Sequence, residues 1–284
     1  MKKVRIISLL VVVFAILFLV YTNFIVNGIS IISNKPQVSF IDSKDFFESY
    51  YGNRDSVILD LRNYKSYREL HIENAVNFEV NSVFENYLGI PRKIKRVNEL
   101  IYTFSNAGVG GYNTVGIYGE KLEDTFVIAS LLHILGVERV FIIKDGFEGW
   151  KSNSLPVSKK IKLVGKGYFP YRITKSFYEL TILDLDKVKD NLKDYFLVGT
   201  SYNSFPLISG SVFVKPKFDF NRYVIGSYYN SYEISRDKRI LLYGVDNYEV
   251  LQVYFALKVF LGYPNVSIFN GGINEWTANG LPAN

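Results

Sequence analysis

The chain repeats itself, and that fact limits its fold more than any single motif does. Shifted by about 125 residues, IYGEKLEDTFVIASLLHILGVERVFIIKDGFEGWKSNSLPV (117–157) lies over LLYGVDNYEVLQVYFALKVFLGYPNVSIFNGGINEWTANGLPA (241–283). Tyr118-Gly119 matches Tyr243-Gly244, and Leu135-Gly136 matches Leu261-Gly262. Trp150 matches Trp276, and Leu155-Pro156 matches Leu281-Pro282. Both tryptophans of the protein fall inside the match. A period of this length describes two copies of one domain, not a solenoid of short units.

Each copy carries the same pattern of elements. An apolar run bounded by turn residues (Val115–Tyr118; Ile240–Tyr243) reads as a buried strand. A helix follows, with apolar residues at 127, 131 and 134 in the first copy and at 250, 254, 257 and 261 in the second. Gly136 and Gly262 stand where a helix ends in a left-handed residue. A second strand (Val140–Ile143; Val266–Phe269), a glycine-containing turn and a short helix complete the copy. Asp145-Gly146 and Asn270-Gly271-Gly272 are turn chemistry and not phosphate cradles, since no P-loop lysine follows. Strand, helix and strand at this spacing predict a parallel sheet with right-handed crossovers. Upstream, SVILDLRNYKSY (56–67) and DYFLVGTSYN (194–203) each add a buried strand entering a loop. The expected fold class is α/β, with domain 1 over 38–157, a basic linker over 158–175 and domain 2 over 176–284.

These segments together resemble the rhodanese-like family, in the tandem arrangement of the thiosulfate sulfurtransferases. In VILDLRNYKSYRELHIENAVNF (57–78), Asp60 and Arg62 match the family's Asp-x-Arg, and His71 to Asn77 match its "GHIPGAIN" stretch. The closing Gly-x-x-x-Trp followed by Leu-Pro occurs twice, ending on Trp150 and on Trp276. The resemblance covers roughly 38 to 284. It implies two rhodanese-like domains, each a parallel sheet flanked by helices.

The resemblance also implies a cysteine after the strands that end in Tyr118 and Tyr243, held in a loop whose N–H groups and helix N-terminus stabilise a persulfide anion. Here both positions are glycine, and the whole chain has no cysteine. The first loop, Gly119, Glu120, Lys121, Leu122, Glu123, Asp124 and Thr125, sums to −2. The second, Gly244, Val245, Asp246, Asn247, Tyr248, Glu249 and Val250, also sums to −2. Acids at helix N-termini are favourable by roughly 0.3–1 kcal/mol each, so Glu123, Asp124, Asp246 and Glu249 are expected to cap and complement the helices they open. Domain 2 is further from the pattern: Gly199-Thr200-Ser201 stands for Asp60-Leu61-Arg62, and 207–212 has no histidine.

No other residue supplies the chemistry. Thr125, Tyr118 and Ser201 lie near the loops, but none has a base at recognisable spacing except Lys121, and a hydroxyl cannot carry a persulfide. With only His71 and His133, the inventory argues against a histidine metal centre or a Ser/His/Asp relay. His71 reads as structural, His133 as half-exposed, and Asp60 with Arg62 as a strand-end pair. No catalytic residue, metal or cofactor is assigned.

The N-terminus carries a different signal. After Lys2, Lys3 and Arg5, residues 6 to 32 contain no ionisable side chain other than Tyr21, a length that can span a bilayer. The positive-inside tendency puts the rest of the chain outside the cytoplasm. The prediction over 1–32 is an uncleaved transmembrane anchor, with a cleaved leader and a secreted product as the alternative. Residues 28 onward carry about +3, which is not a nucleic-acid charge pattern. Lys159, Lys160, Lys162 and Lys166 read as a solvated linker with weak attraction to anionic headgroups. The many tyrosines and phenylalanines are mostly core, with Tyr228, Tyr229 and Tyr232 read as an exposed aromatic surface.

The expected function is therefore a membrane-anchored tandem rhodanese-like protein without transferase activity. It would bind a protein partner through its loops and interdomain cleft, in a setting related to sulfur metabolism. The alternative is sulfane-sulfur transfer by a non-cysteine or partner-assisted route, and a third reading is a pocket for a small neutral or cationic ligand.

Overall fold

The computed structural model describes residues 36–87 and 89–284. The anchor expected over 1–32 lies outside them, and among the described residues no helix is long and apolar enough to cross a membrane.

The first half runs β1 (Gln37–Ile41), α1 (Ser43–Tyr50), β2 (Ser56–Asp60), α2 (Tyr64–Glu69), β3 (His71–Ile72) and β4 (Val76–Asn77). It continues with β5 (Phe84–Tyr87), β6 (Ile90–Ile94), α3 (Val97–Asn106), β7 (Thr114–Tyr118), α4 (Leu122–Ile134), β8 (Arg139–Ile143), α5 (Gly146–Ser152) and β9 (Val157–Ser158). An extended segment then leads to α6 (Tyr171–Thr181), so a helix begins inside the stretch expected to be linker. The second half runs β10 (Ile182–Leu183), α7 (Leu185–Asn191), β11 (Phe196–Thr200), β12 (Val212–Val214), α8 (Arg222–Asn230) and β13 (Ile240–Gly244). It closes with α9 (Asn247–Tyr254), a π-helical turn (Phe255–Phe260), β14 (Val266–Phe269) and α10 (Gly272–Ala278).

Two five-stranded sheets result, ordered β1-β8-β7-β2-β4 and β10-β14-β13-β11-β12, with every pairing parallel. The order is the same in both once each strand is replaced by its repeat partner. The central strands β7 and β13 are buried along their whole length, as parallel strands covered on both faces must be. Gly116 in β7 leaves the space that the Phe46 ring of α1 fills.

The helices after these strands join the halves. α4 is apolar almost all round, with nine of its thirteen residues buried, so it is an interior helix with few solvent-facing positions. It packs on α9 and the π turn, where the Phe126 and Phe255 rings stack at 4.3 Å. One apolar core runs from Leu59, Ile117 and Leu131 through Tyr254 and Phe255 to Leu242 and Ile268. The outer face of each sheet has its own smaller core, around Trp150 and Phe46 in one half and around Trp276 and Phe269 in the other. Residues 36–284 accordingly form one compact unit.

The repeat offset is 125 at the start of these helices (Leu122, Asn247) and 126 at their ends (Ile134, Phe260). The second copy therefore holds one extra helical residue, and the wide π turn accommodates it, closed by Leu261 N–H donating to Ala256 O at 2.9 Å. Gly136 and Gly262 end the two helices at φ +77° and +75°, as their positions in the repeat suggested.

The aromatic surface expected at Tyr228, Tyr229 and Tyr232 is not present. Tyr229 is buried, Tyr228 and Tyr232 are partly covered, and the hydroxyls of Tyr228 and Tyr229 donate to Lys215 O and Lys217 O. The rings face inward because α8 needs an apolar side, and Ile225 and Tyr229 supply it one turn apart.

His133 of α4 lies at the edge of this helix pair, with Nδ1 3.3 Å from the Tyr254 hydroxyl. Burial, and secondly the charge of Lys258, lower its pKa from 6.5 to about 4. The neutral ring is the form the fold accepts. Its contribution to stability is fully present above pH 6.5 and is lost as pH falls toward 4. His133→Gln is expected to remove on the order of 2 kcal/mol of acid destabilisation over that window. Thermal melts of the two proteins should diverge at pH 4.5 and keep a constant difference above pH 7.

Candidate functional site

Asp60 ends β2 fully buried, and a buried carboxylate needs partners. It accepts from Arg62 Nε at 3.0 Å, from Arg62 Nη2 at 2.7 Å and from the Arg62 backbone N–H at 2.9 Å. The Tyr118 hydroxyl, at the end of β7, donates to its second oxygen. Burial weighs against the Arg62 charge and Asp60 outweighs it, holding the guanidinium above its ordinary range. Burial and the Asp60 charge push Tyr118 far up, so its phenol is a fixed donor. Arg62 also donates to Leu70 O at 2.7 Å and lies over the Phe147 ring at 4.0 Å. This is a hydrogen-bonded pair locked on all sides, with little left over to attract a substrate.

His71 is buried in β3. Its Nδ1 is 2.7 Å from Tyr67 O, its Nε2 3.1 Å from Lys160 O, and its ring stacks on Tyr67 at 4.0 Å. It ties α2 to the segment after β9. The two tryptophans act alike: Trp150 Nε1 donates to Pro156 O and Trp276 Nε1 to Pro282 O, each at 2.9 Å. That bond is the physical reason for the repeated Gly-x-x-x-Trp and Leu-Pro spacing, because the indole closes the turn six residues on.

The loop at 119–125 is shorter than the sequence suggested. Helix α4 begins at Leu122, so Glu123, Asp124 and Thr125 belong to its first turn and only Gly119, Glu120 and Lys121 form the bend. Neither Glu123 nor Asp124 caps the helix: Lys121 holds the cap position and no side chain accepts there. A cavity of about 730 Å³ opens beside it, lined by Arg62, Gly119, Glu120, Leu122, Phe147 and Lys151 among others. A Cβ on Gly119 would approach Leu61 Cβ at 3.3 Å and nothing more closely. That contact is tight, but it is with a side chain that can give by a few tenths of an ångström.

The second loop is different in kind. Helix α9 begins at Asn247 and is capped by Asp246, which accepts from Tyr248 N–H at 2.9 Å. Tyr248 and Glu249 therefore lie in the helix, and the bend is Val245 and Asp246. A Cβ on Gly244 would meet Thr200 O at 2.5 Å and Val250 Cγ2 at 3.0 Å. One on Gly272 would collide with Gly244 O, whereas one on its counterpart Gly146 would lie 3.8 Å from Gly119 O. Two backbone segments cross in contact where the first half leaves space. Gly199 replaces the buried acid, with Leu207 and Phe205 packed where a side chain would go, and Tyr243 donates to Ser211 Oγ at 2.8 Å instead.

A hairpin that the sequence did not reveal reaches this loop. β5 and β6 leave the first half, and Ile94 exchanges two bonds with the Asn270 side chain, at 2.8 and 2.9 Å. Lys93 pairs with Glu275 at 3.3 Å and Arg92 with Asp246 at 3.0 Å. Arg92 holds φ +49° and lies over the Tyr248 ring at 4.8 Å. Tyr248 in turn donates to Asp124 at 2.8 Å, which links the two helix N-termini directly. Burial, then Asp124, push the Tyr248 phenol far above its ordinary range, and burial raises Asp124 and Asp246.

Between the loops lies a cleft of about 930 Å³, lined by residues that include Tyr64, Glu79, Arg92, Glu120, Tyr202 and Glu249. Lys121, Asp124 and Tyr248 also reach it, so residues from both predicted loops share one space; Gly119, Leu122 and Thr125 instead line the first cavity. Trp150, Trp276 and His71 are structural and lie outside it. Tyr202 and Arg92 were missed. Tyr202 follows β11 as Asn63 follows β2, a position the repeat could have flagged, whereas Arg92 carries no such signal. Among the described residues no group of His, Asp and Glu could hold a metal ion.

A family model described as a rhodanese-like domain matches residues 43–153 and again 181–279. A protein of Synechococcus elongatus named "Putative thiosulfate sulfurtransferase" is 26% identical over 267 residues, covering 81% of this chain and 80% of its own. Among solved structures, the 3-mercaptopyruvate sulfotransferase of Escherichia coli superposes with a TM-score of 0.65 at 17% identity, over 82% of this chain and 98% of that one. The anaerobic ergothioneine biosynthesis enzyme of Chlorobium limicola, solved with trimethyl histidine, gives 0.66 at 18%, over 88% and 70%. At those identities the structures speak to the fold alone.

The two glycines predict unequal tolerance. Gly244→Ala is expected to cost about 1–3 kcal/mol, because the strand end must move off Thr200. Gly119→Ala should stay within about 1 kcal/mol of the parent. Paired thermal melts decide it, and equal losses would contradict the crossing described here.

Proposed function

The chain belongs to the rhodanese-like domain family, and from that premise we propose that it is a binding module that has lost sulfur transfer. The observation that carries this reading is the first loop: an accessible site beside a cavity, with glycine where a thiol would stand and no other side chain able to hold sulfur. The second loop supports it from another direction, since its backbone crossing and the Arg92–Asp246 pair fill the place of a reacting group. What both loops retain is a shared cleft with acids, tyrosines and two arginines engaged elsewhere, a surface suited to recognition. The apolar run at 6–32 supports a membrane anchor with the two domains outside the cytoplasm. In this reading the protein recognises a partner protein near the membrane, in a setting related to sulfur metabolism.

A partner-assisted transfer is the second reading. It is favoured by the uncapped N-terminus of α4 beside the first cavity, where a thiol from another molecule would find N–H donors.

Purified full chain incubated with thiosulfate and cyanide is expected to form thiocyanate at the buffer rate. A rate far above buffer would overturn the binding reading. A rate that rises above the thiol-only control when dithiothreitol is added would favour the assisted route. A photo-crosslinker at Tyr202 is expected to capture a partner in native membranes, and the Glu120→Lys, Glu249→Lys double variant should abolish that capture.

A further inference from the structure

Residues 149–178 contain seven cations and no acid. Their middle, the extended segment between β9 and α6, places Lys159, Lys160, Lys162 and Lys166 at the surface together with large apolar side chains. Leu163 is 95% exposed, Tyr168 70% and Ile161 53%. Tyr102 on α3 and Tyr112 beside Gly111 are also exposed, and Lys166 Nζ lies 5.6 Å from the Tyr102 ring.

This segment is fixed to the domain. Gly167 N–H donates to Ser105 O, and Ser105 Oγ to Gly167 O, both at 2.9 Å. Gly111 N–H donates to Tyr168 O at 2.9 Å. A Cβ on Gly167 would collide with Val109 O, so the glycine is what permits this close approach. The segment therefore presents Leu163 outward on a held backbone, although exposing a leucine to water gains nothing.

We propose that this surface docks on a bilayer with anionic headgroups. Lysines interleaved with tyrosines and a protruding leucine match an interface whose outer layer is negative and whose inner layer is apolar. The charge of the segment is one-sided. Its place in the chain fits as well. Gln37 N–H donates to Glu138 O and Glu138 N–H to Gly111 O, so β1 starts beside Tyr112 and Tyr168. Only residues 33–35 separate Pro36 from the uncharged stretch, a reach of about 10 Å. The inference rests on the anchor reading in one respect, that a bilayer is near. It adds an orientation: the patch lies by the first residue of β7, and the loops with their cleft follow its last, so the cleft opens away from the membrane.

The chain has no native cysteine, which makes a single-label experiment direct. Full chain carrying Leu163→Cys, or Ser204→Cys beyond β11 as the control, is labelled with a polarity-sensitive fluorophore and reconstituted into phosphatidylglycerol–phosphatidylcholine vesicles. Flotation reads the anchor, and quenching by headgroup-level nitroxide lipids reads the patch. The expected result is flotation of both proteins, with severalfold stronger quenching at 163 than at 204. Lys162→Glu with Lys166→Glu, or high salt, should remove the difference while flotation persists. A chain that floats with the 163 label in water overturns the docking surface alone. So does shielding at 163 that is equal in detergent micelles, which would report a protein contact. A chain that does not float overturns the anchor reading, and the docking surface with it.

Discussion

The packing of α4 against α9 and its π turn is the constraint on which the rest depends. Both helices follow the central strand of their sheet, so bringing them together brings the two strand ends and their loops together. Ser130 Oγ donating to Leu251 O, the stacked Phe126 and Phe255 rings and the Tyr248–Asp124 bond all lie along this contact. Deep burial of α4 on nearly every side means that neither half keeps its core without the other. The cleft is a by-product of that packing, lying beside the point where the two N-terminal turns meet through Tyr248 and Asp124.

The two copies of the site depart from the family's pattern in different ways. In the first, the surrounding structure is intact: Asp60, Arg62 and Tyr118 hold the strand ends, and a Cβ on Gly119 would press only on the Leu61 side chain. In the second, the space itself is gone, closed by Gly244 against Gly272 and covered by the β5–β6 hairpin. Electrostatics follow the same division. Asp246 has found a covalently tethered cation in Arg92, whereas Glu120 answers only to the polar side chains of Asn63 and Ser66.

Much of the architecture was legible in the sequence. Buried parallel strands show as unbroken apolar runs, helix ends as Gly136 and Gly262, and the family motifs as spacings that the Trp150 and Trp276 bonds explain. The start of the second helix was marked by Asp246, whereas that of the first was not legible, because Lys121 before Leu122 is no capping residue. The acids were expected to cap, yet only Asp246 does; Asp124 is turned toward Tyr248 of the other half, a partner 124 residues away. The hairpin was hidden for a similar reason, since Arg92 and Lys93 look like ordinary surface charges until the second domain arrives beneath them. Tyr228, Tyr229 and Tyr232 misled in the opposite sense: dense aromatics in a row suggested a surface, whereas the helical period turns Tyr229 inward.

The π turn at 255–260 bears on how such a repeat tolerates a change in length. An extra residue in an α-helix rotates everything after it by about 100°, which would carry Leu257 and Leu261 out of the core and enter β14 on the wrong face. Widening one turn absorbs the residue with almost no net rotation. The sheet beyond is thereby insulated from the insertion, so the second copy differs in length at its core while preserving the strand order of the first.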